Sequence, residues 1–274
     1  MLTDYHLHLR PDDPAATPER YFTADNVERY LDAAREAGIE ELGVSEHVYR
    51  FREALDVSRH PFWQSQATDD LDAYCEFVRT TPLRLGIEAD FVAGAEDRIA
   101  SLLERRELDY VVGSVHLVGD RMVDHAGYDV WERDADPDRV WERYFELVAG
   151  AARCGLFDIL AHPDLVKMWG QERPWPDCDP RFHYERAVEA IAESGIAVEL
   201  STAGLRKPVG EIYPSREFCA MCVEAGTPFA LSSDAHAPEQ VGYEYGRATE
   251  MLRELGVETI CVFEGRERRE EQIG

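Results

Sequence analysis

Histidines and acidic residues recur in this 274-residue chain where predicted β-strands end. Imidazole and carboxylate groups are the side chains that hold transition metals in proteins. Six of the nine histidines stand in such motifs, which are Asp4-Tyr-His6-Leu-His8, Ser45-Glu46-His47, Gly113-Ser-Val-His116, Ala161-His162-Pro163 and Ser233-Asp234-Ala-His236. Glu88 adds a carboxylate able to bridge two ions. The pattern predicts a hydrolase with several metal ions.

The spacing of these residues favours a shared site. Successive side chains of a strand point to opposite faces, so His6 and His8 share a face and can approach one ion. A single histidine at a strand end is more often structural, but six of them with two carboxylates indicate a metal centre. Asp4 and Asp90 are expected either to bind an ion or to orient a ligand. His60, His125 and His183 stand in loops or at a helix start, so we leave them outside the metal set.

The elements that must position this site follow from hydrophobic periodicity. Short apolar runs alternate with stretches of helical period, which is typical of βα units and a parallel sheet. The predicted strands are Leu2–His6, Glu41–Ser45, Leu83–Ile87, Tyr110–Val115, Asp158–Ala161, Ile196–Leu200, Pro228–Ser232 and Thr259–Phe263. The predicted helices are 25–37, 70–80, 95–106, 137–154, 181–194, 215–225 and 245–255. Seven or eight such units predict a closed or nearly closed α/β barrel formed by one domain over residues 1–274.

Loops at the carboxyl ends of barrel strands build active sites. Three long segments without clear period follow strands that end in candidate ligands, namely Arg50–Asp69, Val118–Asp134 and Lys167–Asp179. We expect these segments to form the walls of the pocket.

Composition narrows the class of partner. A formal net charge of -26 opposes general binding to nucleic acid or to an anionic membrane. The six cysteines show no paired framework, and no apolar run reaches membrane-spanning length, so we expect neither export nor membrane insertion. These features predict a cytoplasmic protein. The pair in Cys219-Ala-Met-Cys222 is interpreted as core packing, because a structural zinc site needs further ligands.

The ordered motifs together resemble the PHP superfamily, named for polymerase and histidinol phosphatase domains. Three segments are similar to its histidinol-phosphate phosphatase branch in particular: Gly86-Ile-Glu88-Ala-Asp90-Phe91, Asp109-Tyr-Val-Val-Gly-Ser-Val-His116 and Ser201-Thr-Ala-Gly-Leu-Arg206. So is Ser232-Ser-Asp-Ala-His-x-Pro-Glu-x-Val-Gly242, and the resemblance covers nearly the whole chain. It implies a distorted (β/α)7, TIM-like barrel with the active site at the carboxyl ends of the strands.

The resemblance also implies two to three divalent ions of Zn, Mn or Fe. Carried over by position, one ion is bound by His6, His8, Glu88 and Asp234. Glu88 bridges to a second ion held by His116 and His162, and the third is held by His47 and His236. Many relatives have a further histidine where this chain has Pro14. Asp12 or Asp13 could replace it, and we assign the place to Asp13.

Clustered divalent ions activate water and neutralise phosphoryl oxygens. That chemistry favours hydrolysis of a phosphomonoester by attack of a metal-bound hydroxide. The resemblance implies that the substrate is L-histidinol phosphate, which is hydrolysed to L-histidinol and inorganic phosphate in histidine biosynthesis. The expected catalytic residues are Glu88, Asp234 and His236. Arg206 is the expected phosphate clamp, with Arg52 as a second cation, because guanidinium binds phosphate through paired hydrogen bonds. The expected partner is a small-molecule phosphate ester; the chain predicts no oligomeric state.

Three alternatives stay open at this stage. One is a PHP-type enzyme acting on another phosphomonoester or on a nucleotide or nucleic-acid diester, which the acidity disfavours. Another is a metal site with a structural or regulatory role. A third is an amidohydrolase, but its bridging lysine carbamate has no counterpart, because neither Lys167 nor Lys207 lies suitably within a strand.

Overall fold

A computed structural model describes residues 1–13, 15–134 and 136–274 of the chain. Its strands are β1 (Thr3–Asp4), β2 (Glu41–Val44), β3 (Arg84–Asp90), β4 (Tyr110–Ser114), β5 (Leu117–Val118), β6 (Arg121–Met122), β7 (Ile159–Leu160), β8 (Ala197–Ser201), β9 (Phe229–Ser232), β10 (Thr259–Glu264) and β11 (Glu267–Gln272). Its helices are α1 (Pro18–Tyr21), α2 (Ala24–Glu36), α3 (Pro61–Gln66), α4 (Leu71–Val78), α5 (Glu96–Leu103), α6 (Pro137–Arg153), α7 (Pro180–Ser194), α8 (Arg216–Glu224) and α9 (Tyr245–Glu254). All seven helices expected from periodicity are present, with ends displaced by at most three residues.

The central sheet is parallel and nearly closed. Its seven strands lie in the order β1-β2-β3-β4-β7-β8-β9. The two edges meet just beyond the strands, where Leu7 and Ala235 form a parallel bridge and the backbone N–H of His8 donates to the carbonyl of Ala235 at 2.8 Å. Helices follow the strands in sequence, as a parallel sheet requires. The predicted TIM-like (β/α)7 barrel is thereby confirmed.

One predicted strand is not part of the barrel. The run at Thr259–Phe263 forms β10, but β10 pairs antiparallel with β11 in a separate two-stranded sheet. Gly265 and Arg266 connect the two strands with φ angles of 57° and 66°, the left-handed backbone of a two-residue hairpin turn. Of the seven or eight units expected, seven form the barrel, because this turn gives β10 a local partner.

The hairpin of β10 and β11 covers the amino-terminal end of the barrel. Phe263 packs in one buried cluster with Tyr5 and Tyr110, and its backbone N–H donates to the Tyr5 hydroxyl at 3.2 Å. On the outside, Arg266 forms an ion pair with Asp158, which precedes β7. This end of the barrel is therefore filled by side chains, so the opposite end is left for a site.

The helices present apolar faces to the sheet. In α6, Val140, Trp141, Tyr144 and Val148 are buried and recur at the spacing of one helical face. α6 begins at Pro137, after Asp136, whose side chain accepts a hydrogen bond from the Arg139 backbone.

The Cys219 and Cys222 side chains are buried on α8, which confirms that they belong to the core. Among the described residues, no helix has the length and apolar content needed to cross a membrane.

Candidate metal centre

The carboxyl ends of the barrel strands bring eight candidate ligands together. Glu88 lies inside β3, and the others stand within the first few residues beyond a strand. They are His6 and His8 after β1, His47 after β2, His116 after β4, His162 after β7, and Asp234 and His236 after β9. Two of them have left-handed backbone, with φ of 22° at His162 and 48° at Asp234. Such conformations are uncommon outside glycine and concentrate at functional sites.

Glu88 lies at the middle of the cluster and is fully buried. Its Oε2 atom is 3.3 Å from His6 Nε2 and 3.7 Å from His8 Nε2, and it also contacts His47 Nδ1. Its Oε1 atom is 3.4 Å from His116 Nε2 and 3.3 Å from His162 Nε2. One carboxylate thus contacts five imidazoles, with its two oxygens directed to different groups of them.

The remaining contacts extend the cluster toward solvent. Asp234 Oδ1 is 3.3 Å from His8 Nε2 and 3.5 Å from His236 Nδ1. His236 Nε2 lies 3.4 Å from His47 Nε2. Ligand atoms within 4.8 Å of one another form four overlapping triplets, namely His6/His8/Asp234, His6/Glu88/His162, His47/Glu88/His116 and His8/His47/His236.

The donor set fits divalent cations. Several buried atoms of the cluster have no hydrogen-bond partner within the described part of the chain, despite their close contacts: His6 Nε2, both ring nitrogens of His8, His47 Nδ1, Glu88 Oε2 and Asp234 Oδ1. A buried polar atom without a partner costs about 1–3 kcal/mol, so a folded protein rarely keeps several side by side. Nitrogen and carboxylate lone pairs that point at one another are satisfied together by cations bound between them.

The charge balance of the cluster also suits cations. Burial raises the pKa of Glu88, but the His47, His6 and His116 imidazoles outweigh burial and hold that pKa well below its usual value. Burial also raises the pKa of Asp234, but His6 and His8 outweigh burial and hold that pKa well below its usual value. Both carboxylates are therefore ionised. Burial lowers the pKa of His47 well below its usual value, whereas nearby carboxylates outweigh burial and raise the pKa values of His6 and His116, so cations that bind here displace protons from those two rings.

Outer carboxylates fix the ligating rings. Glu199 Oε1 is 2.7 Å from His6 Nδ1, and Glu199 Oε2 accepts a hydrogen bond from the His162 backbone N–H at 2.6 Å. Asp90 Oδ1 is 2.7 Å from His116 Nδ1, so it orients that ring, which is one of the two roles expected for Asp90. Asp4 accepts hydrogen bonds from the backbone and hydroxyl of Ser233 and thereby holds the segment before Asp234.

Two of the outer residues, Glu46 and Glu199, were missed by sequence reasoning. Glu46 is fully buried and accepts hydrogen bonds from the backbone N–H groups of Leu9 and Arg10 at 2.7 and 2.9 Å, and from Arg50 Nη1 at 2.7 Å. The signal for Glu199 was a lone carboxylate inside an apolar strand, Ala197–Ser201.

Replacing Glu199 with glutamine is expected to weaken metal binding without unfolding the barrel. The neutral amide cannot accept a charge-assisted hydrogen bond from His6, and its N–H₂ end would oppose either that ring or the His162 N–H. Outer hydrogen-bonding partners of metal ligands typically contribute about 10–100-fold in metal affinity or activity. Metal titration monitored by calorimetry measures the change. An unchanged affinity in a folded Glu199→Gln variant would contradict the positioning role.

A cavity of about 470 Å³ opens over the cluster. Side chains of three kinds line it. The aromatic and apolar ones include Tyr49, Phe62, Met122 and Trp169, the acidic ones include Asp12 and Asp124, and the basic ones include Arg10, Arg50 and Lys207. Such a volume suits a small molecule. The three predicted wall segments all contribute to it, through Phe62, Met122 and Trp169 respectively.

The cationic residues of the cavity differ from those expected. Arg52 is half exposed and is bound to Asp70 at 3.0 Å, outside the cavity. Arg206 Nη2 donates to the backbone carbonyls of Ser233 and Asp234 at 2.8 and 2.9 Å, so it holds the backbone of the loop that carries Asp234. Neither arginine is among the residues that line the cavity, and direct phosphate contact by Arg206 and Arg52 stays a prediction. Lys207, the neighbour of Arg206, lines the cavity and has no ion-pair partner among the described residues.

Of the two aspartates expected to replace the family's additional histidine, Asp12 lies nearer to the ligand cluster than Asp13, although both line the cavity. Asp13 Oδ1 accepts a hydrogen bond from the Ala15 backbone at 2.9 Å, as a turn residue does. Asp12 Oδ1 lies 3.7 Å from His236 Nε2 and accepts a hydrogen bond from Arg50 at 2.9 Å. Pro14, which occupies the place of the family's additional histidine, lies outside the described residues.

The three histidines left outside the metal set occupy different settings. His60 Nδ1 caps α3 by accepting from the Phe62 backbone. His125 accepts from the Gly127 backbone and reaches the edge of the cavity. His183 is buried beside Cys178 and Asp138, outside the lining of the cavity.

Comparison with known proteins gives concordant results. The family model described as "PHP domain" matches residues 21–203. A Deinococcus radiodurans protein named "Probable histidinol-phosphatase" is 34% identical over 266 residues, covering 94% of this chain and 95% of that protein. The Bacillus subtilis histidinol-phosphatase is 24% identical, over 81% of this chain and 91% of its own.

A similar fold is known from a crystal structure. The histidinol phosphate phosphatase from Lactococcus lactis, solved with zinc, L-histidinol and phosphate, superposes with a TM-score of 0.70. The match covers 98% of both chains at 17% identity.

Proposed function

This chain belongs to the PHP domain family, and from that premise we propose that it is a metal-dependent phosphomonoesterase that hydrolyses L-histidinol phosphate to L-histidinol and inorganic phosphate. The observation that carries the proposal is the single buried carboxylate of Glu88 among five imidazoles. Three of these imidazoles, those of His47, His116 and His162, line a cavity of small-molecule size. Full-length similarity to a protein named as a histidinol-phosphatase supports the choice of substrate. We further propose that residues 1–274 form one PHP-type domain.

The proposal assigns two to three divalent ions of Zn, Mn or Fe to the centre. His6, His8 and Asp234 would hold one ion together with Glu88 Oε2. His116 and His162 would hold a second ion with Glu88 Oε1, and His47 and His236 a third, with Asp12 as the nearest additional oxygen. When bound, such ions lower the pKa of water and neutralise the oxygens of a phosphoryl group.

The side chains around the centre have distinct tasks in this proposal. Lys207 lies at the cavity and makes no ion pair within the described part of the chain, so it is assigned to a non-bridging phosphate oxygen. Asp234 and His236 are the most exposed of the clustered ligands, with 13% and 18% of their side chains accessible. This pair is therefore assigned to the proton that the leaving alkoxide oxygen must receive.

The rest of the cavity complements histidinol. The substrate carries an ammonium group and an imidazole ring, which an acidic side chain and an aromatic wall bind well. Asp124 is 25% exposed at the cavity, and one of its oxygens has no hydrogen-bond partner among the described residues. Phe62 and Trp169 provide flat apolar surface for the ring. A diester of nucleic acid would instead require a basic groove, which a chain of net charge -26 does not favour.

The test is phosphate release from L-histidinol phosphate by purified protein, before and after chelation and after restoring Zn²⁺ or Mn²⁺. We expect turnover that chelation removes and metal restores, while circular dichroism shows a folded barrel in every state. A phosphodiester and single-stranded DNA run in parallel as competing substrates. A metal-loaded, folded protein that releases no phosphate from histidinol phosphate would refute the substrate, and faster cleavage of the diester would replace it.

A further inference from the structure

A second group of ligand-type side chains lies outside the lining of the cavity, at the amino-terminal ends of two neighbouring helices. Asp138 belongs to the first turn of α6, and His183 to the first turn of α7. Cys178 stands just before α7. His183 Nε2 is 3.2 Å from Cys178 Sγ and 3.3 Å from Asp138 Oδ1, and all three ligand atoms lie within 4.8 Å of one another.

The arrangement differs from a Cys-His-Asp catalytic triad. In a triad the nucleophile and the carboxylate bind opposite nitrogens of the imidazole, so that a proton can pass across the ring. Here the thiol and the carboxylate both approach Nε2, which either donates or accepts and cannot direct one good hydrogen bond to each. Instead, one oxygen of Asp138, the sulfur of Cys178 and one nitrogen of His183 lie close enough together to bind a single ion.

The spacing of those atoms matches a tetrahedral ion. With metal distances of about 2.3 Å to sulfur, about 2.0 Å to nitrogen and about 2.0–2.2 Å to oxygen, tetrahedral angles separate nitrogen from oxygen by about 3.3 Å and nitrogen from sulfur by about 3.5 Å. The observed separations from His183 Nε2 are 3.3 Å to Asp138 Oδ1 and 3.2 Å to Cys178 Sγ. The free state is thus already close to the bound geometry.

The local backbone holds this geometry in place. The Asp138 carboxylate accepts hydrogen bonds from the backbone N–H groups of Asp177 and Cys178 at 3.1 and 3.4 Å. His183 is buried against the Trp141 ring of α6, with ring centres 6.0 Å apart. The carboxylate and the imidazole are therefore oriented by contacts other than those they make with each other.

We propose that Asp138, Cys178 and His183 bind a divalent cation of the zinc class, with water as the fourth ligand. The thiolate selects a soft or borderline metal over Mg²⁺ or Ca²⁺. The site connects α6 to the segment Lys167–Asp179, whose Trp169 lines the cavity of the catalytic centre. The role of the bound ion is to fix Cys178, near the carboxyl end of that segment, against helices α6 and α7.

The sulfur ligand of this site allows metal binding there to be detected spectroscopically, without any measurement of phosphatase activity. The ligands assigned to the main centre are all nitrogen and oxygen, and within the described ranges no other cysteine belongs to a possible metal group. Co²⁺ bound through a thiolate absorbs in the near ultraviolet by charge transfer from sulfur, whereas Co²⁺ bound by histidine and carboxylate lacks that band. The experiment is titration of the reduced, metal-free protein with Co²⁺, followed by absorption.

The expected result is a thiolate band that saturates at one Co²⁺ per chain. Cys178→Ser should lose the band and bind one Co²⁺ fewer, whereas the matched control Cys154→Ser, at another cysteine that is not fully buried, should keep both. Glu88→Gln should keep the band although it alters the main centre. His183→Gln should bind Co²⁺ at the thiolate site at least tenfold more weakly.

Three outcomes would overturn the proposal. They are a wild-type protein that binds Co²⁺ without a thiolate band, a band that survives Cys178→Ser, and a His183→Gln variant of unchanged affinity. None of them bears on whether histidinol phosphate is hydrolysed. Conversely, a protein without phosphatase activity that shows the band would support this site alone.

Discussion

Replacing Glu88 with glutamine is expected to reduce kcat for phosphate release by roughly 10³-fold or more, equivalent to about 4 kcal/mol of transition-state stabilisation. Glutamine keeps the volume of the side chain and so preserves the packing. It removes the negative charge from the middle of five imidazoles and presents one N–H₂ group where a ligand oxygen stands. Two of the assigned ions lose a shared ligand at once.

Metal content and activity of Glu88→Gln are measured together. Elemental analysis should show fewer bound ions per chain than in the wild type, and phosphate release should stay low when excess Zn²⁺ or Mn²⁺ is added. Glu104→Gln, at an exposed helix end, is the matched control and should behave as the wild type. Near-normal turnover by a folded Glu88→Gln protein would contradict the proposal that Glu88 is a ligand shared by two ions.

Replacing Glu46 with alanine is expected to lower the free energy of unfolding by about 3–5 kcal/mol, the typical effect of removing one partner from a buried ion pair. Burial raises the pKa of Glu46, but His8 and Arg50 outweigh burial and bring that pKa to about 2, so the group is charged. Its loss leaves the buried Arg50 guanidinium facing only the exposed Asp12 carboxylate and a backbone carbonyl. The N–H groups of Leu9 and Arg10 also lose their acceptor.

Urea unfolding of metal-loaded protein measures this effect. The control is Arg52→Ala, which breaks the exposed pair with Asp70 and should change the free energy of unfolding by less than about 1 kcal/mol. Glu46→Ala with stability within about 1 kcal/mol of the wild type would show that the buried pair is not needed for the fold.

The ligands of the centre were predictable because chemistry and strand ends coincide in the sequence. His6 and His8 alternate along one strand, and each of the other candidates lies in or just after an apolar run that a parallel sheet buries on both faces. Parallel strands bring their carboxyl ends to one edge, so separate positions in the chain become neighbours in space. The approximate position of the site therefore follows from periodicity alone.

The direction of loop side chains did not follow from the sequence. Arg50 is buried at the cavity and Arg52 points to solvent, although only one residue separates them. Arg206 and Lys207 are adjacent, yet the first supports the backbone of Asp234 while the second lines the cavity. These residues lie in short 3-10 helices or directly after one, and tertiary contacts set the orientation of such short elements, so sequence periodicity does not determine which neighbour faces the cavity.

The eighth strand illustrates a different limit. An apolar run such as Thr259–Phe263 has the same pattern whether it closes a barrel or begins a hairpin. Gly265 and Arg266 are the residues that distinguish the hairpin from a barrel strand, because two consecutive left-handed residues join antiparallel strands by a two-residue turn. Arginine is unusual in that conformation, so the sequence did not indicate a hairpin turn at this position.

That hairpin has a consequence for how the chain folds. The hydrogen bond from Phe263 to Tyr5 joins residues 258 positions apart, and the two side chains seal the same end of the barrel. Contacts of such long sequence separation form only after a large loss of chain entropy, and proteins rich in them fold slowly. During synthesis, the seven barrel strands emerge before the segment that closes their amino-terminal end. Until it arrives, the apolar cluster around Tyr110 lacks Phe263 and its neighbours in the hairpin, and apolar surface exposed at such a stage favours aggregation.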